Sequence, residues 1–341
     1  MQNAPESDGH VEAKKLPAIV ILGTGGTIAA AGASAVNTSD YVLKYGVESV
    51  IASVPEVHFF AKISGEQVAN VPSQDIGNDL LLLLAKRVNV LLASESVDGI
   101  VITHGTDTME ETAYFLNLVI KSKKAVVFVG AMRPSTAISA DGPLNLLNAV
   151  KVAASPKSRG KGVLIVLNDR IGAARFMEKR HTTGTDAFSM DEYGVIGSVV
   201  DSVVEFHSDP LRIHTVESDF DVSDIDELPA VDIVYGYQGI GPHLFSAAIA
   251  SGARGLVFAA TGNGTLSTAA KHAATLACEN GVAFVRSTRV GKGLVSFKST
   301  DVELNTIASN SLNPQKSRLL LMLALTRTNE RQIIQDYFDS Y

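Results

Sequence analysis

The sequence predicts an α/β protein of two α/β domains: a larger N-terminal one with a doubly wound, mainly parallel sheet, and a smaller C-terminal one. Two observations predict this class. Short apolar and β-branched runs alternate with helix-length segments over most of the chain, as they do in βαβ units. The chain has 341 residues, and at about 150 residues per domain this length favours two domains.

The predicted elements follow the chain in alternation. Candidate strands are Ala18 to Leu22, Gly99 to Thr103, Ala125 to Gly130, Val163 to Asn168, Asp232 to Tyr235, Gly255 to Ala259 and Val282 to Arg286. Helical patterns between them include Asp79 to Ala93, Met109 to Lys121, Pro143 to Ala153 and Ser267 to Glu279. Strands separated by helices of this length are expected to run parallel.

The end of the chain predicts two more helices. The pair Asn313-Pro314 is typical of a helix start, with a capping side chain and a proline in the first turn. The second helix has Ile333, Ile334, Tyr337 and Phe338 on one predicted apolar face.

The alternation lapses between about Asp191 and Pro229, which includes an acidic stretch from Glu217 to Glu227. We place the domain boundary there. The resulting division is a flexible N-terminal extension (1–15), an N-terminal α/β domain that carries the candidate site (16–205), a linker (206–229) and a C-terminal α/β domain (230–341).

Composition argues against several classes of partner. The formal net charge is −7 and no long lysine or arginine run occurs, so no nucleic-acid partner is expected. No apolar stretch approaches the ~18 residues of a membrane span, so no membrane segment is expected. The single cysteine, Cys278, and the absence of His-x-x-x-His spacing make a metal site unexpected.

Hydroxyl-rich loops follow several predicted strands. Ligands of open parallel sheets bind beyond the carboxyl ends of the strands, so these loops hold the candidate site residues. They contain Gly23-Thr24-Gly25-Gly26-Thr27, Thr103-His104-Gly105-Thr106-Asp107-Thr108 and Gly130-Ala131-Met132-Arg133, and a downstream loop adds Ala174-Arg175 and Lys179.

The first loop partly matches a dinucleotide fingerprint. Gly23 and Gly25 fit Gly-x-Gly-x-x-Gly, but Ile28 occupies the third glycine position. A nucleotide-dependent oxidoreductase is therefore a weak alternative. From the residues alone, the favoured interpretation is a tight turn in which Thr27 caps a helix.

The second loop carries more polar groups than helix capping needs. Thr108-Met109-Glu110-Glu111 has the pattern of a capping box, which leaves Thr106 and Asp107 for another role. A hydroxyl and a carboxylate beside Gly105 suit recognition of an amino acid's ammonium and carboxylate groups.

A threonine nucleophile needs a base, and Lys179 is a candidate. Its neighbours Glu178 and Arg180 favour an ordinary solvated lysine from spacing alone. Spacing does not bring Lys179 to Thr106, so the residues by themselves predict a small polar ligand without fixing the reaction.

The motifs resemble those of the bacterial type II L-asparaginases and glutaminase-asparaginases, over about Leu16 to Tyr341. The similar segments are Leu22-Gly23-Thr24-Gly25-Gly26-Thr27-Ile28-Ala29, Gly65-Glu66-Gln67, Ser73-Gln74-Asp75, Thr103-His104-Gly105-Thr106-Asp107-Thr108-Met109-Glu110-Glu111 and Ser311-Leu312-Asn313-Pro314. The resemblance implies hydrolysis of L-asparagine to L-aspartate and ammonia, secondary L-glutaminase activity, no metal or organic cofactor, and a homotetramer built as a dimer of dimers.

The resemblance also implies a role for each matched residue. Thr27 would be the nucleophile, and Thr106, Asp107 and Lys179 would form a second catalytic group. The remaining roles would fall to the backbone N–H groups of Thr106 and Ala131 for the oxyanion, Ser73 and Gly105 for the substrate carboxylate, and Gln74 with Asp107 for its ammonium group.

A catalytic tyrosine on a mobile lid is also implied. An ungapped count places it at Asp40, with Tyr41 beside it. Residues 30–45 lack clean periodicity, and a closing loop can slip by one residue at little cost. We therefore expect Tyr41 to contact Thr27.

The rim of the implied site comes from a partner subunit. The family's partner-subunit asparagine or serine falls on Thr265, and the count for its partner-subunit acid falls on Thr300, near Asp301 and Glu303. Asp40 at the tyrosine position leaves one alternative, a non-catalytic amino-acid-binding protein that retains the pocket.

The cellular compartment that the resemblance implies depends on whether a signal peptide was removed before Met1. Lys14 and Lys15 before the apolar stretch Leu16 to Leu22 imitate a signal peptide, but Gly23 interrupts the stretch. Type II relatives are usually exported. We therefore expect a periplasmic protein if a signal was removed before Met1, and a cytoplasmic one if Met1 is the true start.

Overall fold

The computed structural model describes residues 15–341, so all but the last residue of the predicted extension lies outside the described range. The strands are β1 (Ala18–Gly25), β2 (Ala30–Gly32), β3 (Tyr41–Leu43), β4 (Lys62–Val71), β5 (Gly99–Thr103), β6 (Ala125–Val129), β7 (Val163–Leu167), β8 (Arg170–Ala173), β9 (Glu178–Lys179), β10 (Phe188–Ser189), β11 (Gly197–Val200), β12 (Val203–Phe206), β13 (Val231–Tyr235), β14 (Gly255–Ala260), β15 (Ala283–Thr288) and β16 (Thr306–Ala308). The α-helices are α1 (Val47–Ala52), α2 (Asn78–Ala93), α3 (Met109–Val119), α4 (Gly142–Ala154), α5 (His243–Ala250), α6 (Thr268–Glu279), α7 (Ser299–Glu303), α8 (Pro314–Leu325) and α9 (Arg331–Ser340).

The larger sheet has eight strands in the order β12-β11-β8-β7-β6-β5-β1-β4. The five strands from β7 to β4 run parallel, and the other three are antiparallel. Every residue of β5, β6 and β7 is buried, as expected of parallel strands covered on both faces.

The smaller sheet is wholly parallel, in the order β13-β14-β15-β16. The predicted class, a large mainly parallel sheet followed by a smaller C-terminal α/β unit, is therefore confirmed. The bounds of the four predicted segments stay a prediction. Among residues 15–341, no helix combines the length and apolar character that a bilayer crossing requires.

Helix α8 connects the two sheets, because it packs against both α3 and β14. Its predicted start is confirmed, since the Asn313 side chain accepts a hydrogen bond from the Lys316 N–H and Pro314 lies in the first turn. In α9, Ile334 and Phe338 are buried, but Ile333 is exposed. The predicted apolar face is therefore wrong at Ile333.

Two elements beside the candidate site were missed. Strand β4 lies at the sheet edge next to β1. It includes the partly exposed Glu66 and the exposed Gln67, so it lacks the apolar run of a central strand. The other element is the hairpin of β2 and β3, which pairs Gly32 with Tyr41. The expected irregular lid is thus partly regular, because its small residues allow close strand pairing.

Candidate active site

A cavity of about 390 Å³ lies at the carboxyl ends of β1, β4 and β5. The hairpin of β2 and β3 forms one side of it. Its lining consists of Gly26, Thr27, Tyr41, Val42, Leu43, Pro72, Ser73, Gln74, Gly105, Thr106 and Asp107. The structure therefore brings together seven of the predicted site residues from four separate segments: Thr27, Tyr41, Ser73, Gln74, Gly105, Thr106 and Asp107.

The floor of the cavity is made by two glycines in contact. Gly26 has φ 84°, a left-handed conformation that glycine adopts without steric cost. A Cβ atom at Gly26 would overlap the backbone of Gly105, and a Cβ atom at Gly105 would lie 2.8 Å from the Ser73 Oγ. The absence of side chains lets the loops after β1, β4 and β5 pack directly on one another.

Thr27 begins a single 3-10 turn, Thr27–Ala29, that follows β1. Gly26 is the N-cap of this turn, and the Thr27 hydroxyl instead donates a hydrogen bond to the Tyr41 phenol at 2.8 Å. The helix-cap interpretation of Thr27 is therefore wrong. The side chain is buried but reaches the cavity, so its hydroxyl faces the space where a ligand would bind.

The lid hairpin is held at the start of β2 by the loop after β6. The Ala30 carbonyl accepts hydrogen bonds from the backbone and the hydroxyl of Ser135, at 3.0 and 2.8 Å. On the opposite strand, Tyr41 reaches Thr27, whereas Asp40 is exposed and donates its N–H to Asn37. Tyr41 rather than Asp40 thus supplies the side chain at the Thr27 hydroxyl.

Lys179 lies on β9, which pairs with β10. Its Nζ donates to the Thr106 Oγ1 at 2.9 Å and to the Asp107 Oδ1 at 2.6 Å. The Lys179 side chain is only 16% exposed, so the interpretation of an ordinary solvated lysine is wrong. Fold topology brings together a lysine, a hydroxyl and a carboxylate that spacing alone could not connect.

Two supporting contacts were missed at the sequence level. The Thr108 hydroxyl donates to the Ser73 carbonyl at 2.7 Å instead of capping α3, so the predicted capping box is wrong. The Glu110 carboxylate accepts a hydrogen bond from the Lys179 N–H at 2.9 Å. In each contact the two residues lie far apart in the sequence, so no local sequence pattern predicts it.

Ala131 lies on the next loop, after β6, and is fully buried. The Asp141 carboxylate fixes this loop by accepting hydrogen bonds from the N–H groups of Met132 and Arg133. Ala131 is not among the described residues that line the cavity. Of the two expected oxyanion donors, only Thr106 belongs to this lining.

His104 is fully buried directly before Gly105. One ring nitrogen, Nδ1, lies 2.7 Å from the Gly105 carbonyl oxygen. Burial lowers the pKa of His104 to about 4, so the imidazole is neutral near pH 7. His104 therefore adds no positive charge behind Thr106.

The predicted rim residues lie on the C-terminal domain. Thr265 is exposed in a turn after β14, outside the cavity lining. Asp301 is fully buried, and its carboxylate is bound by the Arg286 guanidinium and the Thr306 hydroxyl. Asp301 is therefore excluded as an acid offered to a partner subunit, while Thr300 and Glu303 are exposed.

The described part of the chain has no group of three His, Cys, Asp or Glu side chains that could hold a metal ion. The polar side chains that line the cavity are hydroxyls, the Gln74 amide and the Asp107 carboxylate, and Lys179 is hydrogen-bonded to Thr106 and Asp107. This set can bind an amino acid and move protons.

Comparison with known proteins gives matches over nearly the whole chain. A family model described as Asparaginase, N-terminal, matches residues 18–212, and one described as Glutaminase/Asparaginase C-terminal domain matches residues 230–338. The chain is 58% identical to L-asparaginase 2 of Bacillus subtilis over 331 residues, covering 97% of this chain and 88% of that protein. It is 46% identical to the glutaminase-asparaginase of Pseudomonas fluorescens, covering 97% of this chain and 93% of that protein.

Among solved structures, the crystal structure of a probable cytoplasmic L-asparaginase from Campylobacter jejuni matches with a TM-score of 0.93 and 45% identity. The match covers 95% of this chain and 100% of that one. Sequence and fold therefore agree over nearly the whole chain. The resemblance inferred from the motifs is confirmed, and the chain belongs to the asparaginase family, with the bacterial type II L-asparaginases.

Proposed function

We propose that this protein is an amidohydrolase that converts L-asparagine to L-aspartate and ammonia, with secondary activity on L-glutamine. The observation that carries the proposal is the presence, at one cavity, of two threonine hydroxyls that are each hydrogen-bonded to a side chain able to carry a proton. Thr27 is bonded to Tyr41, and Thr106 is bonded to Lys179. The names of the relatives, L-asparaginase and glutaminase-asparaginase, agree with this activity.

Substrate would be held by its α-amino-acid end. The Ser73 hydroxyl and the backbone of Gly105 suit its carboxylate, and Gln74 with Asp107 suits its ammonium group. Asp107 is well placed for this, because one carboxylate oxygen is bound to Lys179 while the side chain is 63% exposed. Anchoring this end would direct the side-chain amide toward Thr27.

The reaction would proceed through an acyl-enzyme. The Thr27 Oγ attacks the amide carbon, the C–N bond breaks, and the hydroxyl proton ends on the nitrogen, which leaves as ammonia. Water then attacks the resulting ester, which releases L-aspartate and restores the Thr27 hydroxyl. Tyr41 and the Lys179 group would carry protons during these steps, because each is hydrogen-bonded to a threonine hydroxyl.

Negative charge develops on the carbonyl oxygen of the amide during the first attack, and on the carbonyl oxygen of the ester during the second. The backbone N–H groups of Thr106 and Ala131 would stabilise this oxyanion. Thr106 would then contribute through its backbone and its hydroxyl. The imidazole of His104, the residue before Gly105, is buried and neutral. The charged side chains beside Thr106 are therefore Lys179 and Asp107.

The proposal includes a homotetramer, built as a dimer of dimers, in which Thr265 completes the rim of a partner's site. Its support is that Thr265 is exposed and lies apart from the cavity of its own chain. Light scattering on the purified protein measures the mass, and a monomer with full activity would contradict this arrangement.

Ammonia release, measured side by side with L-asparagine and L-glutamine, tests the function. We expect turnover of both, faster with L-asparagine. Turnover that survives dialysis against a chelator supports a site without a metal. Binding of L-asparagine in calorimetry without ammonia release would favour the alternative, a non-catalytic amino-acid-binding protein. One extra methylene changes discrimination by only about 1–3 kcal/mol, so the ratio of the two rates must be measured.

A further inference from the structure

Lys179 is held at both ends by a single short stretch of chain. Its Nζ binds Thr106 and Asp107, and its backbone N–H donates to the Glu110 Oε2 at 2.9 Å. Glu110 lies in the first turn of α3 and is only 6% exposed. The same loop-to-helix segment therefore fixes both the backbone and the ammonium group of Lys179.

The strand that carries Lys179 offers little support of its own. Strand β9 consists of Glu178 and Lys179. Within residues 15–341 it pairs only with the equally short β10, and the Arg180 N–H adds one hydrogen bond to the Ala187 carbonyl at 2.7 Å. Two residues form few ladder hydrogen bonds, so such a strand does not define a backbone position firmly. The bond to Glu110 supplies a fixed point on the opposite side.

Glu110 is itself held by the C-terminal domain. Its Oε1 accepts hydrogen bonds from the Gln315 Nε2 at 3.2 Å and the Asn313 Nδ2 at 3.4 Å, both at the start of α8. Three N–H donors thus point at the two carboxylate oxygens. The Glu110 side chain is long enough to reach both the Lys179 N–H on β9 and the amide groups at the start of α8.

We propose that Glu110 is a positioning residue, which fixes Lys179 at hydrogen-bond distance from Thr106 through the Lys179 backbone. This inference rests on the proposed function, in which Lys179 moves a proton. A displacement of about 1 Å can reduce an enzyme's rate by about 100-fold. Glu110 therefore acts on the turnover number through Lys179, without touching the substrate.

A different role would be charge balance. Burial raises the pKa of Glu110, and the charged groups that face it are Lys316 on α8, Glu178 and Arg180 around β9, and Glu111 on its own helix. Lys316 is fully buried. A carboxylate kept only to neutralise Lys316 would need its charge but not its reach to Lys179.

Two substitutions separate reach from charge. Glu110→Asp keeps the charge beside Lys316 but shortens the side chain by one methylene, so the bond to the Lys179 N–H is lost. Glu110→Gln removes the charge but keeps the length and one acceptor oxygen. Gln315 can rotate its amide to accept from the new NH₂ group. Glu111→Asp and Glu111→Gln are matched controls, because Glu111 lies on the same turn and also faces Lys316, together with Arg318, whereas the Lys179 N–H donates to Glu110.

Steady-state kinetics of these variants with L-asparagine provides the test. For Glu110→Asp we expect kcat to fall about 10- to 100-fold with KM within about twofold of wild type. Glu110→Gln should stay within about threefold of wild type, as expected when a single hydrogen bond is preserved. Hydrogen exchange gives a readout besides activity, since the Lys179 amide should exchange faster in Glu110→Asp than in wild type.

Each other outcome has a definite meaning. Full activity in Glu110→Asp with a loss of activity in Glu110→Gln would overturn the positioning role and favour charge balance. Equal losses in both Glu110 variants would overturn the positioning role without favouring charge balance, because Glu110→Asp keeps the charge. If Glu110→Gln fails to fold, Glu110→Asp decides alone by the same criteria. A wild-type protein that releases no ammonia refutes the proposed function, whereas an active wild type with an equally active Glu110→Asp refutes only this inference.

Discussion

The two threonines of the cavity have contrasting surroundings. Thr106 lies on a wall formed by the end of the fully buried strand β5, with Lys179 packed behind it. The partner of Thr27 is Tyr41, which is 38% exposed on a short hairpin beside Val42, which is 67% exposed. Segments with few buried contacts open at low free-energy cost. The difference indicates a preorganised wall, and a lid that can open to admit substrate and release product.

The largest effect is expected at Thr27, where wall and lid meet. Thr27→Ala should lower kcat by at least about 1,000-fold, because it removes the proposed nucleophile without opening a core cavity. Thr27→Ser should keep part of the rate. Ammonia release and L-aspartate binding by calorimetry measure the two properties. Near-native turnover in Thr27→Ala would show that the residue is structural.

A large effect is also expected on the wall side. Lys179→Met should lower kcat by about 100- to 10,000-fold, the range typical of a lost proton-transfer group. KM should change little, since Lys179 lies behind Thr106 and Asp107. Full kinetic curves with L-asparagine check this. A higher KM with an unchanged kcat would make Lys179 a binding residue and refute the relay.

The lid should show an intermediate effect. Tyr41→Phe removes only the phenol oxygen that meets Thr27, and we expect kcat to fall about 10- to 100-fold. Asp40→Asn is the matched control and should change kcat by less than about twofold, as exposed positions usually do. The reverse order, or a ligand-bound crystal structure with Tyr41 turned to solvent, would contradict the assignment of the lid tyrosine.

The smallest effect on catalysis is expected at Thr108, which does not line the cavity but donates a hydrogen bond to Ser73, which does. Thr108→Val removes the hydrogen bond to the Ser73 carbonyl while keeping the side-chain shape. Loss of one such bond, about 1 kcal/mol, should raise KM about fivefold with kcat nearly unchanged. Substrate-dependence curves test this. A fall in thermal stability with KM unaltered would limit Thr108 to a structural role.

The sequence predicted the buried strands well because their apolar runs are continuous. Strands at the sheet edge and in the lid were missed, since β4 and the hairpin contain small and polar residues. Thr106 and Asp107 were predicted as site residues because helix capping did not require these two polar side chains. The roles of Thr108 and Glu110 could not be predicted, because each depends on a partner that only tertiary structure supplies, Ser73 for one and Lys179 for the other.

The contact of Gly26 with Gly105 has a consequence for the engineering of substrate preference. Any side chain added at either glycine would collide with backbone or with Ser73, so the cavity cannot be made shallower or reshaped from below. Libraries that seek a different balance between L-asparagine and L-glutamine should therefore leave these two positions constant. Diversity is better introduced at Val42 and Leu43, which also line the cavity and of which Val42 is 67% exposed.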